Sequence, residues 1–89
     1  MTESQQRALA LAFTLLEQEF AHSIIIVAGK EKPGVQIQED FELCWNGGRG
    51  IARTLLSDAM ERIKYQKLTR CTPNVSKKVM NEVMKKHYE

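Results

Sequence analysis

The chain is predicted to be a single α+β domain: a small antiparallel β-sheet, a hairpin of two or three strands, with three helices in the order α-β-β-(β)-α-α. Three observations predict it. Apolar residues recur at helical spacing from Leu9 to Phe20. A β-branched run, Ile24 to Val27, leads through a Gly/Pro turn into an alternating segment that ends at Trp45. Two further amphipathic stretches then lie on either side of Pro73.

The first helix is expected over 3–20. Thr2 and Gln5 have capping-box spacing, in which each side chain satisfies the other residue's backbone N–H. The stripe Leu9, Ala12, Phe13, Leu16 and Phe20 is widened by Ala8, Leu11 and Leu15, so the buried face is broad. His22 and Ser23 break the pattern. Ile24, Ile25, Ile26 and Val27 favour a pleated strand, and a run apolar on both faces suits a strand covered on both sides. Residues 29–34 read as a hairpin loop with a charged tip.

In the second strand Val35, Ile37, Phe41, Leu43 and Trp45 share one parity, while Gln36, Gln38, Asp40, Glu42 and Cys44 take the other. Glu39 is the defect on the apolar side, and a bend at Glu39-Asp40 would split the segment into two strands. The economical arrangement puts the helices on one sheet face and leaves the other polar. The second helix is expected over 51–68, on the row Ile51, Leu55, Ala59 and Ile63. Pro73 disfavours helix at Thr72. The last helix starts near Asn74 or Ser76, both good N-caps, and carries Val75, Val79 and Val83 with Met80 and Met84.

With 89 residues, 43% hydrophobic and 27% charged, the chain suits one domain over 1–89 with a modest core. A homodimer with its seam on the Met/Val helix is compatible with that size. No apolar run approaches a bilayer span, and the acidic first residues do not suit a secretory leader, so a cytoplasmic protein without membrane contact is expected. Cys44 and Cys71 set no disulfide framework, and with only His22 and His87 beside them no close pair of zinc ligands exists. Neither a metal nor another cofactor is expected.

The net charge of +2 hides a division. Residues 1–61 hold five basic and nine acidic side chains, and residues 62–89 hold eight basic and two acidic, balances of −4 and +6. Such polarity bears on the choice of partner.

The loop Gly47-Gly48-Arg49-Gly50, between a strand and a helix start, is placed where backbone N–H groups favour anions. It fits neither the Walker pattern nor the dinucleotide fingerprint, so a tight connection using glycine is the stronger reading, with a contact loop for a macromolecule as the functional version. Trp45 is read as a core residue, or, if partly exposed, as an anchor at an interface. Lys77, Lys78, Lys85 and Lys86 on the last helix, with Arg62, Lys64, Lys67 and Arg70 before it, are either a solvated surface or a phosphate-binding patch. Aromatic platforms for single strands are scarce, since Tyr65 and Tyr88 alone lie in this region. Glu39, Asp40 and Glu42 read as charges that protect a strand edge, or as a surface for basic partners. No Ser, Cys, His or Asp stands in a recognisable catalytic context, so an enzyme is not expected.

The stretch from Phe41 to Met60, an alternating strand running through glycine into a helix of the type Ile51…Leu55-Leu56…Ala59-Met60, resembles small phage- or prophage-encoded accessory proteins. The resemblance covers about a fifth of the chain. It implies a non-enzymatic protein that binds a host or phage macromolecule, and it carries over no functional residue. From the residues themselves, the expected function is binding to a protein or protein–nucleic-acid complex through Trp45, Arg49 and the four lysines. The alternative is direct binding of DNA or RNA through Arg62, Lys64, Lys67, Arg70, Lys77 and Lys78.

Overall fold

The computed structural model describes residues 1–29, 33–34, 41–67 and 71–88. The element order is α1 (Glu3–Glu19), β1 (Ser23–Ala28), β2 (Phe41–Asn46), α2 (Arg49–Tyr65) and α3 (Lys77–Tyr88), an α+β arrangement. The strands pair antiparallel in a two-stranded sheet, with Ser23 opposite Asn46 and Ala28 opposite Phe41. The hairpin tip at Lys30–Lys32, the segment 35–40 with its bend at Glu39-Asp40, and Arg70 lie outside the described residues. α2 ends at Tyr65, three residues short of the predicted Leu68, because Gln66 leaves the helix with φ −81° and ψ 134°.

Local chemistry sets the helix ends. The Thr2 hydroxyl accepts from the Gln5 N–H at 3.1 Å, and the Gln5 side-chain carbonyl accepts from the Thr2 N–H at 2.9 Å, closing the predicted capping box. Ser76, one of the two anticipated caps, starts α3: its hydroxyl accepts from the Val79 N–H at 3.2 Å. α2 starts two residues earlier than its apolar stripe predicts, because Arg49 and Gly50 join the first turn behind Gly48, a cap without a side chain. Its last turn holds Arg62 and Lys64, which suit the negative end of the helix dipole.

One expectation is overturned. α1 and α2 do not share a sheet face. The Ile25 and Val27 side meets Gln5, Leu9 and Ala12 of α1, whereas Ile24, Leu43 and Trp45 point to the other side, toward Ala52 and Leu56 of α2. The sheet is therefore a middle layer between two helices. The continuous apolar character of β1 has its physical cause here: adjacent residues point to opposite faces, and each face carries a helix.

The covering is shallow. No described residue is fully buried, and Ile26 and Phe41 remain about half exposed. α3 makes no extended contact with any other described element. Among the described residues no helix is long and apolar enough to cross a membrane.

Candidate functional site

At one end of the sheet the two helix–strand connections are tied together. Asn46 closes β2, and its side-chain amide donates to the carbonyls of Phe20 and Ala21 at 3.2 and 3.4 Å. Its side-chain oxygen accepts from the Ser23 hydroxyl. The chain then turns at Gly47 with φ +93°, and a Cβ there would lie 2.8 Å from the Ala21 carbonyl oxygen and against the His22 ring. Only glycine fits this conformation and this approach without strain. The loop is thus a tight connection, as the residues suggested. It fixes the start of α2 over the sheet.

That placement builds a cleft. Ile24, Leu43 and Trp45 from the sheet and Ala52 and Leu56 from α2 form its apolar lining, and Arg49 and Arg53 complete it, enclosing about 190 Å³. Trp45 is neither core nor fully free: it is 44% exposed. Trp45 and Arg49, singled out from the sequence, share one cleft. Arg53 was missed there. Its signal was the i, i+4 spacing from Arg49 beside the apolar stripe, which puts both arginines along the same edge of α2. A second open cleft, of about 330 Å³, lies between α1 and β1 and is almost wholly apolar, with Leu9, Ala12, Ile25 and Val27 in its lining.

α3 forms the other candidate surface. Val79 and Val83 are 45% and 49% exposed, Met84 is 49% exposed, and Val75 just before the helix is similarly open. The four lysines occupy the remaining half of the circumference. Lys78 and Lys85, two turns apart, stack opposite the valines, while Lys77 and Lys86 border the apolar face, two turns from Met84 and Val79 respectively. Arg62, Lys64 and Lys67 are exposed around the end of α2, and Lys64 lies 5.6 Å from the centre of the Tyr65 ring. No extended contact joins α3 to the Trp45 cleft, so the predicted residues form two surfaces and not one. Among the described residues no three His, Cys, Asp or Glu side chains converge, and Cys44 and Cys71 are free thiols, half-buried and exposed respectively.

The chain matches no family model, no curated protein and no solved structure.

Proposed function

We propose that this protein is a small non-enzymatic binding protein that acts by contact with a protein or a protein–nucleic-acid complex. One observation carries the reading: α3 makes no extended contact with another described element and presents an open face of Val79, Val83 and Met84 rimmed by lysines, with Met80 half-buried beside them. A short helix with few packed contacts is marginal in water, and an amphipathic one gains its stability from the surface it covers. The Trp45–Arg49 cleft supports the same reading, since a half-exposed tryptophan beside arginine is the composition of an interface anchor. An accessory role of the phage type, implied by the 41–60 resemblance, is part of this proposal.

The test is capture from a lysate by the wild-type chain and two variants, Trp45→Ala/Arg49→Ala and Lys77→Glu/Lys78→Glu/Lys85→Glu/Lys86→Glu. A bound species retained by wild type and lost by at least one variant is the expected result. Equal retention by all three chains, or none by wild type, overturns the reading.

Direct nucleic-acid binding is the second reading, favoured by the stacked Lys78 and Lys85 together with exposed Arg62, Lys64 and Lys67. Fluorescence anisotropy with labelled duplex DNA, single-stranded DNA and RNA across a salt series tests it. Affinity that falls steeply with salt and disappears in Lys78→Glu/Lys85→Glu is expected, because neutralised phosphates release counterions. Affinity independent of salt rules it out.

A further inference from the structure

We infer that Asn46 is a deamidation site guarded by the fold: it reacts only when the tie it makes has opened, and its product cannot make that tie again. Asn46 lies outside α3 and outside the lining of the Trp45 cleft, so the inference does not depend on the binding function.

The residue pair sets the chemistry. The chain has three asparagines, followed by Gly47, Val75 and Glu82. Only after Asn46 is there no side chain to hinder the next backbone nitrogen. That nitrogen attacks Cγ of Asn46. The N–Cγ bond forms, the Cγ–Nδ2 bond breaks, and Nδ2 leaves as ammonia with the proton from the Gly47 nitrogen. Water then adds to one of the two carbonyls of the five-membered succinimide and opens the ring. The product is aspartate, or isoaspartate with the backbone routed through Cβ. Nothing is oxidised or reduced, and water is the one co-reactant.

The fold opposes ring closure in two ways. Closure needs the Gly47 nitrogen in line with Cβ of Asn46, a rotation about the Cα–C bond that extended backbone excludes. Asn46 is the last residue of β2, paired with Ser23. The carboxamide is also held in place, since Nδ2 donates to the Phe20 and Ala21 carbonyls and Oδ1 accepts from the Ser23 hydroxyl. Gly47 itself is exposed, and the end of a strand opens at lower free energy than the whole domain.

Conversion runs one way. A carboxylate at position 46 has no N–H to donate, and it sets acceptor oxygens against the Phe20 and Ala21 carbonyls. Only the Ser23 contact can re-form. Isoaspartate also lengthens the backbone beside Gly47, which is closely set against Ala21 and His22. A chain that has reacted no longer fastens the end of α1 to the start of α2.

Peptide mapping by mass spectrometry tests this on the full chain, aged in mildly alkaline buffer with and without guanidinium chloride above the unfolding midpoint. Conversion at Asn46 is expected to be at least about tenfold faster in denaturant, because the native rate follows the open population. Asn74 and Asn81 should keep their amides in both conditions. Ser23→Ala should convert faster than wild type in buffer and at the wild-type rate in denaturant. The converted chain, separated from the amide form by its extra negative charge, should melt several degrees lower. Equal rates at Asn46 with and without denaturant overturn the inference. So does an Asn46 that keeps its amide in denaturant, an Asn74 or Asn81 that converts as fast, a Ser23→Ala chain with wild-type rates throughout, or a converted chain that melts with wild type.

Discussion

Gly47 and Gly48 are neighbours in one loop and answer to different constraints. Gly47 has φ +93° and no room for a methyl group beside Ala21 and His22. Gly47→Ala is therefore expected to cost about 2 kcal/mol or more, lowering the melting temperature by roughly 10 °C in a thermal scan. Gly48 has φ −73° and ψ 141°, ordinary N-cap geometry, with open space around it and no side chain to meet the first N–H groups of α2. Gly48→Asp is expected to stabilise the chain by a few tenths of a kcal/mol, visible as a rise of about 1–2 °C in the same scan. The glycines were legible as a connection, but which of them needs positive φ was not, since that depends on His22 arriving from α1. Arg53 was hidden for a related reason. A lone arginine on a helix reads as solvated charge until the sheet is placed against it.

At the scale of elements, β1 decides how the domain is layered. Ile24 and Ile25 face opposite helices and are half-buried, while Ile26 is 54% exposed. Replacement by threonine keeps the β-branched shape and isolates the burial contribution. Ile24→Thr and Ile25→Thr are each expected to cost about 1–2 kcal/mol in urea unfolding followed by Trp45 emission, and Ile26→Thr less than about 0.5 kcal/mol. A uniform loss at all three positions would contradict the two-sided layering. Elements and their order were readable because capping boxes, periodicity and β-branching are local. The face each helix covers was not readable from β2 alone. Its alternation suggests one covered and one wet side, yet Cys44 on the polar parity is half-buried on the α1 side. Ser76 offers a separate test. Without its hydroxyl, α3 loses its side-chain cap, and Ser76→Ala should reduce the far-UV helical signal while leaving the Trp45 environment unchanged.

For the whole molecule, the open face of α3 separates a chain that folds alone from one that completes itself by association. An amphipathic pattern shows that α3 has an apolar face but is silent on what meets that face, so a homodimer seam and a partner surface both stay open in the sequence. If a second copy covers α3, stability depends on protein concentration, and the melting temperature should rise by several degrees between about 5 and 200 µM. A melting temperature constant over that range would mark a chain that unfolds as a monomer.

The tie made by Asn46 has a consequence for how structure is lost. It fastens the end of α1 to the start of α2 at one end of the sheet, and β1, which contacts both helices, lies directly behind it. Opening the β1–β2 ladder releases both helices at once, whereas α3 and the outer turns of α2 can fray with the ladder intact. Amide hydrogen exchange should therefore be slowest along the paired amides of β1 and β2, intermediate in the inner turns of α1, and near the rate of a free peptide in α3 at dilutions where the chain is monomeric. The protein would then meet its partners as a small rigid hairpin unit carrying a helix that acquires its final order on contact.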